Sequence, residues 1–206
     1  SIDRVLQYFK LSAGNNTTYY SFFRTKILSD IYNIVKYHPT KGGYLDWAIT
    51  ITLIASGKVI LDNSKLLIYK NSNWYGDEKY IQNQVKNLFL NCGLLADSYK
   101  YERIFRALDC FILLMRKNSN LTDKDKFDTA VFLLELNIKL FKDYYIQNKN
   151  KFSEKEEKNI KKLDKYIKVQ DKLDLILKII SNHIPKLEEK YKNFYYKSLD
   201  KSWNNI

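Results

Sequence analysis

The sequence has few of the residues on which many metal and redox sites depend. Its 206 residues include two cysteines, two histidines and two prolines. Cys92 and Cys110 match no metal-ligand or redox spacing and lie in apolar helical patterns, so we expect free thiols in a reducing compartment. The two histidines, His38 and His183, each lack a second ligand at helical spacing. We therefore expect no metal site in this chain.

Several catalytic and targeting motifs are also missing. The six glycines form no phosphate-binding loop, and the sequence contains neither G-x-S-x-G nor a Cys–His nucleophile arrangement. Its apolar runs, such as AITITLIA, are much shorter than the roughly 20 residues that cross a bilayer. The start SIDRVLQYFKL is amphipathic and does not resemble a signal peptide. We expect a soluble, cytoplasmic protein.

Positive charge is abundant, and the formal net charge is +12. This balance permits binding to nucleic acid, anionic lipid head groups or phosphorylated ligands. However, the lysines alternate with acidic residues, as in KFSEKEEKNIKKLDKYIK, and form no polybasic block. This pattern argues against a nucleic-acid partner.

The periodicity of apolar residues predicts two different parts. In residues 1–75, helices at 25–37 and 45–56 accompany an aromatic, strand-like run at 19–23 and two short strands, KVIL and KLLIY. Gly57 is expected to be a left-handed helix C-cap. The fold class predicted for residues 1–75 is therefore an α/β segment with few short strands.

Residues 76–206 are predicted to form an all-helical extension. Its helices are expected near 81–89, at 104–115 and 127–145, and as one long helix over 160–180. Residues 148–153 are expected to be a flexible joint. Asp123 and Asp125 have a spacing that could hold a divalent metal, but they follow Thr122 and precede an apolar helical pattern, so helix capping explains them better.

Asp46 is the first candidate for chemistry. A carboxylate in the first turn of a helix, behind Gly42-Gly43 and beside Trp47, could take a proton from a bound hydroxyl, and Trp47 or Tyr44 could stack on a sugar ring or base. Helix capping by Asp46 and core burial of Trp47 would explain the same pattern. Arg24 could clamp a phosphate or carboxylate, or it could be a solvent-facing or ion-paired residue.

The segments YYSFFRTKIL, YLDWAITITLIASGK and LLIYKNSNW resemble, in order and spacing, the later part of family 2, GT-A type glycosyltransferases. The resemblance covers about residues 3–74. It implies that Asp46 is the general base of an inverting sugar transfer and that Trp47 and Tyr44 line the acceptor subsite. Asn16 and Tyr20 would lie behind that subsite, and Arg24 would support it or face a phosphate.

The resemblance also implies what the rest of such an enzyme would supply. The family's nucleotide-binding half, with its Asp-x-Asp metal motif, is absent from the sequence. The expectation is therefore a C-terminal, acceptor-side portion that does not turn over alone, with no cofactor in this chain and a divalent metal only in the missing half. The partners would be a nucleotide-sugar donor and a glycan or lipid-linked acceptor, and the helical extension would serve packing, oligomerisation or attachment at the inner membrane surface.

Two other classes of function fit the same residues. One is a non-catalytic helical interaction protein, in which Asp46 caps a helix, Trp47 is buried and basic helices bind an acidic partner. The other is a nucleic-acid-binding module that uses interleaved tyrosines and lysines, as in NFYYKSLDKSW. The transferase predicts that Asp46, Trp47 and Arg24 share one open cleft. The nucleic-acid module predicts lysines and tyrosines on one continuous face.

Overall fold

The structure, a computed structural model, describes residues 2–12, 21–40, 44–58, 60, 77–165, 168–181, 184–203 and 206. Within these ranges the regular secondary structure is entirely helical. The described residues form nine α-helices: α1 (Ile2–Ser12), α2 (Thr25–Val35), α3 (Asp46–Ser56), α4 (Glu78–Asn91), α5 (Glu102–Met115), α6 (Asp123–Gln147), α7 (Glu154–Ile160), α8 (Val169–Ser181) and α9 (Leu187–Leu199). Short 3₁₀ helices span Ala96–Tyr101, Lys149–Lys151 and Lys161–Asp164.

The predicted α/β segment is therefore wrong. Residues 21–24 precede α2 without forming a strand, and residues 13–20 lie outside the described residues. Of the two predicted strands KVIL and KLLIY, only Lys58 and Ile60 are described, and neither belongs to a strand. Aromatic and β-branched residues favour extended backbone, but a strand is stable only when its backbone pairs with another strand. The described part of the chain offers no such pair.

The predicted helices α2 and α3 are confirmed, with ends that differ by one or two residues from those expected. Gly57 is the C-cap of α3, as predicted, but its predicted left-handed conformation is wrong, because it has φ −157° and ψ 176°, which is extended backbone open to any residue. In α3, side-chain hydroxyls bond carbonyls one turn earlier, from Thr52 to Ala48 O at 2.6 Å and from Ser56 to Thr52 O at 2.7 Å. These bonds allow polar residues to lie in a helix that is buried from Ala48 to Ser56.

Helix α5 lies at the centre of the fold. Every residue from Ile104 to Leu114 is buried, because α3, α6, α8 and α9 all pack against this helix. Helix α1 packs on α3 and α6, and α2 packs on α3 and α9. The helices before and after residue 76 thus contribute to one hydrophobic core.

Local capping residues fix several helix starts. The side chain of Asp77 accepts a hydrogen bond from Tyr80 N at 2.8 Å, and Thr122 accepts one from Asp125 N at 3.1 Å. The capping interpretation of the Asp123 region is thereby confirmed. At α7, Ser153 and Glu156 form a capping box, in which each side chain bonds the backbone N–H of the other residue.

Two expectations for the C-terminal part are wrong. The predicted joint at 148–153 contains the Lys149–Lys151 3₁₀ helix and the buried side chain of Phe152, whose ring lies 5.4 Å from that of Tyr145 and 6.0 Å from that of Phe141. The predicted long helix over 160–180 is instead interrupted, since α7 ends at Ile160 and α8 begins at Val169. None of the helices in the described ranges is both long and apolar enough to cross a membrane.

Candidate functional site

Asp46 and Trp47 lie together at the start of α3. The Asp46 carboxylate accepts a hydrogen bond from the backbone N–H of Trp47 at 2.8 Å, so the side chain serves the N-terminus of its own helix. Trp47 is half-buried against the core, and the guanidinium of Arg106 lies over its ring, 4.7 Å from the centroid. This cation–π contact covers a ring face that a sugar would need for stacking.

Tyr44 is buried, not at the wall of an open subsite. Its ring stacks on that of Phe89, with centroids 4.9 Å apart and planes within 9° of parallel. Its hydroxyl lies 2.7 Å from the Thr40 hydroxyl. Burial, and then the negative charge of Asp109, raise the pKa of Tyr44 well above its ordinary value. The phenol therefore keeps its proton and acts as a hydrogen-bonding core residue.

The other predicted site residues lie elsewhere or outside the described ranges. Arg24 is exposed and forms the extended N-cap of α2, where its carbonyl accepts from Leu28 N at 3.2 Å. Asn16 and Tyr20 lie outside the described residues. The structure thus brings Asp46, Trp47 and Tyr44 to one end of α3 and places Arg24 on a different element.

A buried polar network surrounds His38, in the connection between α2 and α3. His38 Nε2 lies 2.9 Å from Asp109 Oδ1, and the Tyr191 hydroxyl donates to the same oxygen at 3.1 Å. The backbone N–H of Thr40 faces His38 Nδ1 at 3.3 Å. Because a backbone N–H can only donate, Nδ1 is an acceptor, and the proton of the neutral ring is on Nε2, which donates to Asp109.

The groups of this network are closely packed and almost inaccessible to solvent. His38 and Asp109 are 3% and 0% exposed, and the His38 ring is enclosed edge-on by Tyr44, Tyr191 and Phe194, with centroids 5.1–6.2 Å away. Burial and the Asp109 charge raise the pKa of Tyr191 well above its ordinary value, so its hydroxyl remains a donor. The network joins His38, which follows α2, to Asp109 on α5 and Tyr191 on α9.

Sequence reasoning treated His38 as a lone structural histidine and did not identify Asp109. A signal was present, because Asp109 interrupts the apolar run ALDCFILLM in a helix that had been predicted. A buried carboxylate needs donors, which makes such an aspartate a marker for a polar network. The sequence did not indicate which donors these would be, since His38 lies 71 residues away.

An exposed group of tyrosines and lysines lies directly outside this network. We call it the α2/α9 patch and define it as Lys36, Tyr37, Tyr196 and Lys197. Lys197 Nζ lies 5.8 Å from the Tyr37 ring centroid and 5.9 Å from that of Tyr196, and Lys36 Nζ lies 5.1 Å from that of Tyr37. Tyr37 and Tyr196 are 43% and 49% exposed. The patch thus presents aromatic and cationic groups side by side to solvent.

The packing beneath the patch holds it in place. Tyr37 directly precedes the buried His38, and on α9 the buried Tyr195 and Ser198 flank the exposed Tyr196 and Lys197. The Ser198 hydroxyl donates to Phe194 O at 2.8 Å within the same helix. The backbone of the patch is therefore attached to two packed elements.

A second group of lysines and tyrosines lies on other elements. Lys151 Nζ is 5.8 Å from the Tyr99 centroid and 5.6 Å from that of Tyr144, and Lys86 Nζ is 5.7 Å from Tyr99. Burial raises the pKa of Tyr144, and the nearby Tyr99 raises it further. These rings are only half-exposed, so this group offers less aromatic surface than the α2/α9 patch.

The buried free thiol expected from the sequence is confirmed at Cys110. Cys110 is buried in α5 and Cys92 is half-buried after α4. No group of three or more potential metal ligands occurs among the described residues. Comparisons with protein-family models, curated proteins and solved structures gave no significant match to this chain.

Proposed function

We propose that this chain is a non-catalytic helical binding protein of the cytoplasm, which docks through the α2/α9 patch onto an acidic protein surface. The observation that carries this proposal is the exposed arrangement of Tyr37, Lys197 and Tyr196 on packed elements. Neither Lys36 nor Lys197 has a carboxylate within ion-pairing distance among the described residues. Asp200 lies near enough for Lys197 to help lower its pKa, after the larger effect of Lys117, but its ion pair is with Lys117, so the patch lysines remain available to a partner.

The chemistry of the patch suits a protein interface. Tyrosines supply large amphipathic contact surfaces at a small cost in conformational entropy, and they are frequent among the residues that dominate binding energy. The adjacent lysines select partners of negative charge, and the net charge of +12 increases the rate of encounter with them. Acidic side chains on a partner would approach Lys36 and Lys197 while its apolar groups contact the two rings.

The distribution of arginine favours a protein partner over a nucleic acid. Arginine is the residue that binds phosphate and guanine in a bidentate manner. Of the five arginines, only Arg24 is exposed. Arg4 donates to Ile54 O at 3.2 Å, Arg106 pairs with Glu102, and the other two are at least half-buried. The exposed cations are thus almost all lysines, mixed with acidic residues.

The glycosyltransferase interpretation receives less support from the geometry. It requires Tyr44 and Trp47 as accessible walls of an acceptor subsite and Asp46 at its rim. Tyr44 is stacked on Phe89, and the Trp47 ring is covered by Arg106. The helical interaction protein was expected to have a buried Trp47 and an Asp46 that caps its helix. The half-buried Trp47 and the bond from Trp47 N to the Asp46 carboxylate are closer to that expectation than to an open subsite.

The test compares two double variants with the same change in composition and charge. Tyr196→Ser/Lys197→Gln removes one tyrosine and one lysine from the patch, and Lys79→Gln/Tyr80→Ser removes an exposed pair from α4. The acidic probe is fluorescent poly-L-glutamate, with binding measured by anisotropy at several salt concentrations. We expect the patch variant to weaken binding about 5–10-fold and the α4 variant by less than about 2-fold.

A second arm addresses nucleic acid. Oligo-dT of matched total charge should bind more weakly than poly-L-glutamate and should respond equally to both double variants, because it would sense only net charge. Equal losses of poly-L-glutamate binding in the two variants would refute the patch as the docking surface. Tighter binding to oligo-dT, with a loss confined to the patch variant, would favour the nucleic-acid module instead.

A further inference from the structure

A cleft with a volume of about 560 Å³ lies between the first turns of α2 and the connection from α5 to α6. Six of its seven lining residues are polar or charged, and the seven are Lys26, Ile27, Asp30, Arg116, Asn118, Ser119 and Asn120. Protein sites for small molecules commonly fall between about 300 and 1,000 Å³. The cleft shares no residue with the α2/α9 patch.

Arg116 forms the buried floor of this cleft and is only 1% exposed. One of its terminal nitrogens donates to Leu113 O at 2.9 Å, and the other donates to Ser56 Oγ at 3.3 Å. Its Nε–H is buried without a hydrogen-bond partner among the described residues. Among the described residues, no carboxylate forms an ion pair with the Arg116 guanidinium. A buried cation in this state is strongly undercompensated, because a guanidinium has five N–H donors and one full charge.

Together with Arg116, the other charged lining residues leave the cleft cationic overall. Lys26 adds a second positive charge, and Asp30 supplies one negative charge. Burial lowers the pKa of Arg116 to about 10, and the charge of Asp30 acts in the opposite direction. Arg116 thus keeps its proton at neutral pH, with only partial compensation from Asp30.

The 116–122 connection supplies neutral hydrogen-bonding groups. Ser119 Oγ accepts from Leu121 N at 3.3 Å, which leaves its O–H to donate. Asn120 uses its side-chain N–H to hold Ser56 O at 2.8 Å and so fixes the connection against the end of α3. The loop that carries Ser119 is therefore fastened to the residue that Arg116 also contacts.

We propose that this cleft binds a small molecule through an oxyanion group, phosphate or carboxylate, with the Arg116 guanidinium, Lys26 Nζ and the Ser119 hydroxyl as donors. The buried guanidinium supplies a preorganised charge in a desolvated position. The volume exceeds that of a single phosphate, so Ile27 and the outer part of the cleft contact the remainder of the ligand. Asp30 opposes a second negative charge and limits the affinity for multiply charged anions.

The test uses inorganic phosphate and acetate as separate probes of the wild-type chain. Two-dimensional NMR follows the backbone amides of residues 116–122 at constant ionic strength, maintained with sodium chloride. We expect saturable shifts in these amides with phosphate, acetate or both. A response to phosphate alone identifies a phosphate site, a response to acetate alone identifies a carboxylate site, and a response to both identifies a general oxyanion site. Each of these results supports the proposal when the variants below respond as expected.

Three single variants distinguish a site from a general salt effect. Asp30→Asn should tighten binding at least about 3-fold because it removes the opposing charge, and Lys26→Gln should weaken it about 3–10-fold. Lys79→Gln, which removes the same charge on α4, outside both the cleft and the α2/α9 patch, should change it less than about 1.5-fold. Neither Lys26 nor Lys79 is buried, so both variants should fold. Absence of saturable shifts with both probes, or equal dissociation constants in all three variants, would overturn the proposal.

Discussion

Glu156 connects the start of α7 to the centre of the fold, and its charge should contribute measurably to stability. Its carboxylate lies 2.8 Å from Lys100 Nζ, accepts from the Tyr101 hydroxyl, and accepts from Ser153 N at 2.6 Å. Burial acts to raise the pKa of Glu156, but these donors outweigh it and lower the pKa from 4.5 to about 2. The charged form is thus favoured by folding.

The magnitude follows from the linkage between protonation and folding. A fall of the Glu156 pKa from 4.5 in the unfolded chain to about 2 in the folded chain corresponds to about 3 kcal/mol of the free energy of unfolding. Because water reaches part of the carboxylate and screens its interactions, we expect about 2 kcal/mol. For a group whose pKa falls on folding, this stabilisation is fully present above pH 4.5 and is lost as the pH falls toward 2. More than half of it should have disappeared at about pH 3.

Urea unfolding of the wild type and Glu156→Gln, followed by far-ultraviolet circular dichroism, measures this contribution. Near pH 7 the variant should be about 2 kcal/mol less stable, and the difference should fall below about 1 kcal/mol near pH 3. Glu154→Gln, an exposed change in the first turn of the same helix, should remain within about 0.5 kcal/mol of the wild type at every pH. A Glu156→Gln difference that stays constant from about pH 5 to pH 3 would show that the charge is not its source.

Two further changes test buried contacts by urea unfolding at neutral pH. Phe152→Ala should cost about 3–5 kcal/mol because it removes a ring from a buried aromatic cluster. Asn150→Ala, an exposed change two residues away, should cost less than about 0.5 kcal/mol. A cost below about 1 kcal/mol for Phe152→Ala would mean that Phe152 does not anchor the connection between α6 and α7. Asp109→Ala should cost about 3–5 kcal/mol because His38 and Tyr191 lose their acceptor. His38→Phe/Asp109→Leu should cost less than that single change because it removes the buried histidine together with the aspartate, so that of the two donors Tyr191 alone loses its acceptor. Equal costs would contradict the pairing.

The sequence predicted helices where the signal is local. α2, α3, α5 and α6 have apolar residues at helical spacing, and Thr122 before α6 is a strong N-cap residue, so neighbouring residues suffice to specify these helices. The interruption between α7 and α8 was not predicted, because apolar residues such as Ile160 and Leu163 continue through it at helical spacing. Both are buried, and the packing around them is compatible with a 3₁₀ turn as well as with an α-helix.

The incorrect strands have a different origin. The pattern that precedes Arg24 contains aromatic residues that favour extended backbone, but strand formation depends on pairing with residues far along the chain. Propensity alone cannot supply that partner. A single sequence gives the preference of a segment without the tertiary contact that would satisfy its backbone.

The candidate site illustrates the same limit. The sequence correctly indicated that Asp46, Trp47 and Tyr44 lie close together, because they are neighbours at a helix start. It could not indicate that Phe89 covers the Tyr44 ring or that Arg106 covers Trp47, since both contacts cross long stretches of chain. Those two contacts separate an accessible sugar subsite from a packed helix terminus.

Buried polar groups lie beside both the α2/α9 patch and the cleft at Arg116. Such groups cost stability, which suggests that they serve these two sites. A protein in which well-packed apolar residues replace a buried charged or hydrogen-bonded pair is often as stable as the original, or more stable. His38 and Asp109 lie beneath the α2/α9 patch, and Arg116 lies at the floor of the cleft. In the patch the polar pair fixes the chain next to Tyr37 but does not contact the partner, whereas in the cleft the buried charge itself would meet the ligand. Replacing His38 and Asp109 by apolar residues should therefore leave the sign of the patch charge unchanged, whereas neutralising Arg116 would remove the main attraction for an anion.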